Sequence, residues 1–401
     1  MGMEEWKKYK LGELLSIRYG KDHKKLNDGI IPVYGSGGIM RYVNQSIYDS
    51  PSILIPRKGS LNNIIYTETP FWTVDTMFWT IVNTKLADPK YLYYAICKFD
   101  FAGLNVGSAV PSLTVPIIGN INIILPSLNK QKNIVNILSI LDNKIELNHR
   151  INANLEQQAQ ALFKSWFVDF EPFKDGKFVD SELGMIPEGW KVGTLSDIIK
   201  NTISGDWGKE HPQGNHIRKV FCIRGADIPD IKIGNKGNMP TRFILEKNYQ
   251  SKVLIDGDMV IEISGGSPTQ STGRACRISN RLLDKYNNSI ICTNFCKAIK
   301  PLSGYSSFLY YIWEMLYNQG VMFSYENGTT GIKNLDINGF IQKEQIIIPP
   351  IHIATDFEKM IKVFYDKIQS NGMQSERLAQ LRDTLLPKLM SGELKINDFN
   401  N

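Results

Sequence analysis

The chain carries the same structural plan twice. WKKYKLGELLSI, beginning at Trp6, aligns with WKVGTLSDIIKN, beginning at Trp190, at an offset of 184 residues. Further on, INIILPSL (121–128) aligns with EQIIIPPI (344–351) at an offset of 223. Two matches in the same order favour a tandem duplication over chance. The offsets differ by 39 residues, so the sequence predicts an extra subdomain-sized insertion in the second copy.

Each copy ends in a long segment with the hydrophobic spacing of a coiled coil. Its seam alternates spacings of four and three residues for more than four heptads, and the seam of the second copy lies 223 residues after that of the first. The positions are Ile134, Leu138, Leu141, Ile145, Asn148, Asn152, Leu155, Ala159, Leu162 and Trp166, then Phe357, Ile361, Phe364, Ile368, Asn371, Ser375, Leu378, Arg382, Leu385 and Leu389.

Both seams become polar at the same point, at Asn148 and Asn152 in the first copy and at Asn371 and Ser375 in the second. A seam Asn costs stability but fixes register and orientation. We therefore expect the two helices to pair antiparallel, with their polar midpoints together. The alternative is that each helix is a core helix of its own domain.

Two positions weaken the second seam. Arg382 is charged, and we expect its neighbour Leu381 to cover that position. Gly372 lies in the middle of the predicted helix, where glycine costs ~1 kcal/mol relative to alanine. It predicts a bend.

The segment before each helix has short β-branched and aromatic runs such as SILIP (52–56) and DMVIEIS (258–264), broken by Gly, Pro and Asn. Such runs are typical of short strands joined by long loops. The predicted fold class is α+β: two globular mixed α/β domains separated by an antiparallel two-helix coiled-coil spacer, related by pseudo-two-fold duplication. The predicted segments are a first head (1–125), a first spacer helix (126–168), a linker (169–187), a second head (188–348), a second spacer helix (349–392) and a tail (393–401).

Composition narrows the class of protein. The 401 residues include 42% hydrophobic residues, and Lys plus Arg exceed Asp plus Glu by six, which is compatible with a nucleic-acid partner without requiring one. Five irregularly spaced cysteines argue against a secreted disulfide framework. No apolar run is long enough to span a membrane, and the N-terminus lacks a signal-peptide core. We therefore expect a soluble cytoplasmic protein.

Motifs for catalysis on DNA are missing from the sequence. Pro349-Pro350, the only Pro-Pro, has no preceding Asn or Asp, as an adenine methyltransferase would need, and no P-loop GxxxxGK(S/T) occurs. A zinc site lacks paired CxxC spacing, and no G-x-S-x-G elbow is present. The sequence therefore predicts no catalytic residues, no metal and no cofactor in this chain.

Three phrases resemble the specificity subunit of type I restriction–modification systems: ALFKSWFVDFEPF (161–173), GMIPEGW (184–190) and LLPKLMSGEL (385–394). The resemblance implies two target-recognition domains on a helical spacer that read an asymmetric, two-part sequence in double-stranded DNA. It also implies assembly with two copies of a DNA adenine methyltransferase subunit and with restriction/translocase subunits. S-adenosylmethionine, ATP and magnesium would then belong to those partners.

Candidate DNA contacts lie on loops of the heads, where Lys and Arg neutralise phosphates and Arg, Asn, Gln and Ser can read base edges. In the first head they are Lys24, Lys25, Ser36, Arg41, Arg57, Lys58, Ser60 and Asn62. In the second head they are Arg218, Lys219, Arg224, Ser264, Ser267, Gln270 and Arg274. Any single Lys or Arg can equally be a solvated surface charge. The duplicated framework favours the Arg57–Ser60 and Ser264–Arg274 loops, which it puts at equivalent places.

Two questions stay open at the level of sequence. The aromatic run Phe163, Trp166, Phe167, Phe170 and Phe173 indicates either a packed junction with the second head or a docking surface for a methylating subunit. The chain as a whole could also be a coiled-coil scaffold without DNA specificity, or an enzyme acting alone on DNA.

Overall fold

The computed structural model describes residues 6–107, 110–265, 270–328 and 332–394. Contacts divide the chain into two compact units. Unit 1 comprises residues 1–143 and 379–401, and unit 2 comprises residues 144–378. Both long helices contribute to both units, because each crosses the division.

Among the residues that the structure describes, unit 1 holds nine strands, three short α-helices and one part of each long helix. The strands are β1 (Lys7–Lys10), β2 (Leu15–Tyr19), β3 (Asp28–Gly35), β4 (Gly38–Val43), β5 (Ser52–Pro56), β6 (Ile65–Thr67), β7 (Trp72–Thr73), β8 (Met77–Val82) and β9 (Asn122–Leu125). The helices are α1 (Leu11–Leu14), α2 (Pro89–Ile96), α3 (Val115–Gly119) and the first part of α4 (Leu128–Phe167).

The strands of unit 1 form two main sheets and one strand pair. One sheet has the order β2-β8-β5-β6, and its five-residue strand β5 is buried throughout, as the apolar run SILIP predicts. The second sheet has the order β4-β3-β7, with β3 antiparallel to β4 and parallel to β7. Strands β1 and β9 pair antiparallel beside the start of α4. Helix α2 begins at Pro89 after Asp88, whose carboxylate accepts hydrogen bonds from the backbone N–H groups of Lys90 and Tyr91.

Unit 2 is larger. Its strands are β10 (Phe178–Val179), β11 (Ile186–Pro187), β12 (Lys191–Thr194), β13 (Ile199–Ser204), β14 (His216–Ile223), β15 (Thr241–Leu245), β16 (Met259–Glu262), β17 (Ser264–Gly265), β18 (Ala275–Arg277), β19 (Ile290–Cys292), β20 (Cys296–Pro301), β21 (Glu326–Asn327), β22 (Lys333–Leu335) and β23 (Gln345–Ile348). Its helices are the remainder of α4, α5 (Ile228–Lys232), α6 (Glu246–Lys252), α7 (Asn280–Lys285), α8 (Ser306–Asn318), α9 (Ile337–Lys343) and the larger part of α10 (Ile351–Ser391).

Three of the sheets of unit 2 repeat those of unit 1 strand for strand. The order β13-β20-β16-β18 corresponds to β2-β8-β5-β6, and β15-β14-β19 corresponds to β4-β3-β7, again with one antiparallel and one parallel neighbour. The pair β12-β23 corresponds to β1-β9. This shared topology confirms the predicted duplication and the α+β class.

The extra residues of the second copy are not one insertion, and in this the prediction was wrong. The connection from β3 to β4 is Ser36 and Gly37, whereas the equivalent connection from β14 to β15 runs from Arg224 to Pro240 and contains α5. Helix α7 and the β17-β22-β21 sheet add further residues. A difference between two offsets measures the total excess and carries no information on its location.

The long helices pair antiparallel, as predicted, within each unit. In unit 2, the side chain of Asn148 donates to the Asn371 carbonyl at 3.3 Å and to the Ser375 hydroxyl at 3.2 Å. Asn371 in turn donates to the Oδ1 of Asn152 at 2.9 Å. All four side chains of the predicted polar midpoint are buried, so their mutual hydrogen bonds offset the loss of water.

The two weak seam positions each make a specific contact in the structure. In unit 1, Arg382 forms an ion pair with Asp142 at 2.9 Å, while Leu381, which was expected to cover this position, is 46% exposed. In unit 2, Gly372 lies against the backbone of Gly234, and a Cβ at Gly372 would lie 2.4 Å from the Gly234 carbonyl carbon. The glycine therefore permits a close backbone contact.

The aromatic run at the end of α4 is a packed junction. The Phe167 ring lies 4.9 Å from those of Phe308 and Phe357 and 5.8 Å from that of Trp190, between ring centroids. Phe170 and Phe173 also contact Trp190, at 5.3 and 5.2 Å. Of the two interpretations of this aromatic run, the packed junction with the second head is the one observed. Within the described ranges, no helix is both long and apolar enough to cross a bilayer.

Candidate nucleic-acid interface

In the first head, two predicted residues, Lys24 and Ser36, meet at a surface cleft. Its walls are the loop after β2, the β3–β4 turn and the turn before β8, which contribute Lys24, Ser36 and Asp75, respectively. The loop after β2 is held against the sheet because the Lys21 N–H donates to the Thr73 carbonyl at 2.8 Å. Asp22 organises the same loop by accepting the Lys24 N–H at 3.0 Å, and that hydrogen bond lowers the pKa of Asp22. An exposed lysine and a hydroxyl therefore share one concave surface.

The loop after β5 borders this cleft. Arg57 donates from Nε to the Asp75 carbonyl at 2.8 Å, and its guanidinium lies 5.8 Å from the ring centroid of Tyr19, which is 57% exposed. Asn63 donates to the Ser36 carbonyl at 2.8 Å, which ties the loop to the β3–β4 turn. The structure thus brings Arg57, Ser36 and Lys24 to one end of the head.

The other candidates of the first head divide into exposed and engaged side chains. Lys25, Lys58 and Ser60 are exposed. Arg41 is half-buried, with hydrogen bonds to the Leu26 carbonyl at 3.0 Å and to Asp28 at 2.8 Å. Asn62 is exposed, but it donates to Asp100 and accepts the Ala102 N–H, so both ends of its amide already have partners.

In the second head, Arg218 and Lys219 lie next to each other on β14 and border a shallow surface pocket. The guanidinium of Arg218 stacks on the Tyr249 ring at 3.8 Å, and Glu246 lies 3.9 Å away. Lys219 is exposed, with its ammonium 5.4 Å from the Phe221 ring centroid. This pair is the clearest cationic feature of the second head among the predicted residues.

Arg274 and Arg224 have internal partners instead. Arg274 forms a bidentate ion pair with Glu262, both distances 2.7 Å, and this interaction raises the pKa of the guanidinium. Arg224 pairs in the same manner with Asp227 at 3.0 and 3.1 Å. The Arg274 pair connects two neighbouring segments of the second head, whereas Arg224 and Asp227 are three residues apart in one turn. Their contact with DNA stays a prediction, with the added condition that these pairs must open or share their donors.

The remaining candidates belong to the loop after β16. Ser264 hydrogen bonds to Asn334 across the β17–β22 pair, and Gln270 is exposed. Ser267 lies outside the described residues. The framework equivalence on which this loop was chosen holds, because β16 takes the place of β5 in the matching sheet.

Sequence reasoning missed an Arg–Trp stack in the second head. Arg242 on β15 lies 4.0 Å from the ring centroid of Trp207 and 3.3 Å from Glu210. Trp207 is 39% exposed, and Lys209 next to it pairs with β15 through two backbone hydrogen bonds of 2.9 Å. A Trp beside Gly208 and Lys209 was a visible signal, but its Arg partner lies in a strand 35 positions away.

Four of the five thiols are buried and pack as small apolar groups, whereas Cys97 is exposed. Burial raises the pKa of the Cys222 and Cys296 thiols to about 12, and it raises those of Cys276 and Cys292 as well. In the part of the chain that the structure describes, no group of three or more His, Cys, Asp or Glu side chains is arranged to hold a metal ion.

Comparisons with known proteins identify a class of DNA-specificity protein. The family described as the type I restriction modification DNA specificity domain matches residues 3–157. The type I restriction enzyme MjaIX specificity subunit of Methanocaldococcus jannaschii is 29% identical over 366 residues, covering 88% of this chain and 80% of that protein. The HindI specificity subunit of Haemophilus influenzae is 26% identical over 395 residues, covering 80% of this chain and 81% of that protein.

A solved structure shares the fold. The type I restriction–modification S subunit from M. genitalium superimposes with a TM-score of 0.55 at 17% identity, covering 96% of both chains. Residues 3–157 thus match the type I DNA specificity domain, and the chain is similar to two type I specificity subunits over 80–88% of its length. The resemblance found in the helical and flanking phrases is thereby confirmed.

Proposed function

We propose that this chain reads an asymmetric, two-part DNA target and directs adenine methylation and restriction by partner subunits. The observation that supports this most strongly is that the two heads share one strand order but differ in the loops that carry their cationic residues. A shared scaffold with different loops suits two domains of the same fold that recognise different half-sites.

Each head would combine phosphate contacts with base readout. In the first head, Lys24 and Lys25 would neutralise phosphates while Ser36 and Arg57 read base edges at the same cleft. In the second head, Arg218 and Lys219 would take these roles, with Ser264 and Gln270 on the neighbouring loop. The antiparallel helical pair, fixed by its buried asparagines, would set the distance between the half-sites.

The chain itself would carry out no chemistry. Two copies of a DNA adenine methyltransferase subunit would supply methyl transfer from S-adenosylmethionine, and restriction/translocase subunits would supply ATP- and magnesium-dependent cleavage. Base flipping by the methyltransferase would expose the target adenine in each half-site. The complex would act in the cytoplasm.

The first experiment is co-purification with a type I DNA adenine methyltransferase subunit from the same organism, followed by mapping of methylated adenines in DNA exposed to the complex. We expect a split, asymmetric methylated motif that disappears when this chain is omitted. No association, or the same methylation without this chain, would refute the proposal and favour a scaffold role. Methyl transfer by the isolated chain would favour an enzyme acting alone.

A domain exchange tests whether the heads read independently. Replacing residues 20–115 by the corresponding segment of another family member should change one half of the methylated motif and leave the other half intact. The matched control exchanges the second head, which should change only the opposite half. A change in both halves after either single exchange would contradict modular reading.

A further inference from the structure

The second head is joined to the helical pair by a segment that has no counterpart in the first head. This segment, Ile231–Asn238, is called the docking loop here. It belongs to the long β14–β15 connection, where the first head has only a two-residue turn. Lys232 anchors its start inside the head through an ion pair with the buried Glu314 at 2.6 Å.

The docking loop contacts both helices through their polar midpoint. The amide of Asn152 on α4 donates to the Ile233 carbonyl at 3.0 Å and to the Ile368 carbonyl on α10 at 3.1 Å. One buried side chain therefore bridges the loop and the second helix. Glu376 on α10 accepts the Lys236 N–H with one carboxylate oxygen and the Lys285 ammonium, at 2.7 Å, with the other.

The backbones of loop and helix are in direct contact. Gly234 has a φ of +86°, which favours glycine, and a Cβ there would lie 2.6 Å from the Ile368 carbonyl oxygen. Gly372 faces it from the helix, where a Cβ would lie 2.4 Å from Gly234. Real Cβ atoms do not approach so closely, so the docked position requires glycine on both sides.

The helix positions involved form one stripe of α10. Tyr365, Gln369, Gly372 and Glu376 are spaced by four, three and four residues, so they share a face. Tyr365 donates to the Arg277 carbonyl at 2.7 Å, and Gln369 accepts from Ser279 at 3.0 Å. The duplication places Glu146, His149 and Ala153 at the last three equivalent positions of α4, and all three are exposed.

We propose that the docking loop is a positioning element that fixes the orientation of the second head on the helices and thereby restricts the spacer length accepted between the half-sites. The proposal rests on two-part reading as proposed above. Asn152 and Gly372 act as positioning residues: they contact no DNA and leave the base preference of each head unchanged. A head held less firmly would reach its half-site over a wider range of spacers.

Gly372→Ala tests this directly, because alanine stabilises the helix while its methyl group excludes the docked loop. His149→Ala is the matched control at the equivalent exposed position of α4. Asn152→Ala is the second variant, which removes the bridging amide and also the acceptor of the Asn371 amide, so its effect is interpreted only beside that of Gly372→Ala. Each complex with the methyltransferase subunit is given DNA in which both half-sites are constant and the spacer varies by single base pairs.

For wild type and His149→Ala we expect one preferred spacer. For Gly372→Ala and Asn152→Ala we expect the preference over spacers one base pair longer or shorter to fall by roughly tenfold, the effect of ~1.4 kcal/mol. The half-site sequences should stay the same. An unchanged spacer preference in both variants would overturn the proposal.

Trypsin cleavage after the exposed Lys236 reports docking without DNA. We expect cleavage at this bond in Gly372→Ala to be roughly thirtyfold faster, which equals ~2 kcal/mol, with His149→Ala like wild type. Unchanged protection in Gly372→Ala would refute the docking itself. A wild-type complex that methylates no two-part target would instead refute the proposed function, so the two failures are distinguishable.

Discussion

The aromatic junction at Phe167 makes a sharp prediction for stability. Phe167 is 5% exposed, and its ring centroid lies within 6 Å of those of Phe163, Phe308, Phe357 and Trp190. Truncation of a buried phenylalanine to alanine costs ~3–5 kcal/mol through lost transfer free energy and the cavity that remains. We therefore expect Phe167→Ala to lower the free energy of unfolding of unit 2 by that amount.

The assay is urea unfolding followed by tryptophan fluorescence, because Trp190 lies in the cluster and reports on its integrity. For a unit of this size, the loss corresponds to a melting temperature lower by roughly 6–20 °C. Phe295→Ala is the matched control, since that ring is 63% exposed and its loss should change the stability by less than ~0.5 kcal/mol. If Phe167→Ala kept wild-type stability and lost only binding to the methyltransferase subunit, the junction would be a docking surface and our reasoning would be refuted.

Three further substitutions test other parts of the structure. Asn371→Ala should destabilise the chain by ~1–3 kcal/mol, because it leaves the buried Oδ1 of Asn152 without its hydrogen-bond donor. Chemical denaturation measures this loss, and a loss under ~0.5 kcal/mol would contradict the role of Asn371 in helix register. Asp227 is partly desolvated, which raises its pKa, but hydrogen bonds from Arg224 and Asn238 outweigh this and hold the pKa below its ordinary value. The contribution of Asp227 to the free energy of unfolding is therefore present above the unfolded-state pKa of about 3.9 and is lost as pH falls through the lower folded-state pKa. The difference in stability between wild type and Asp227→Asn should therefore narrow in acid, and a difference independent of pH would contradict this prediction. Lys24→Ala should reduce the slope of log affinity against log salt by about 0.9 in DNA binding by the complex, and an unchanged slope would remove Lys24 from the interface.

Sequence periodicity predicted the long helices well, because a seam repeated over several heptads is a strong signal and its duplication doubles it. Asn148 and Asn371 were expected to lie together, and they do, since a polar pair inside an apolar seam has few ways to be satisfied. The strand order of the heads could not be predicted from the sequence. The pairing of β1 with β9 joins segments more than a hundred residues apart, and nothing local encodes it.

The misses share a physical cause: the partner that determines the role of a residue is remote in sequence. Gly372 resembles a helix defect until Gly234 is placed against it. Arg274 resembles a free loop cation until Glu262 is found beside it, and Arg382 resembles a seam defect until Asp142 is found opposite. Short-range patterns give the type of an element, whereas the assignment of a charge to a surface or to an ion pair requires the packed structure.

The division of the chain has a consequence for its synthesis. Unit 2 is one continuous segment, but the core of unit 1 includes Leu389 from the end of α10 together with residues of the first head such as Leu92. On the ribosome, unit 2 can therefore complete its core while unit 1 still lacks its last helical layer. At 5–20 residues per second, the first head waits roughly 10–50 s for that layer. A nascent first head with an uncovered apolar face is the stage at which chaperone binding, or truncation near residue 379, should have its largest effect on yield.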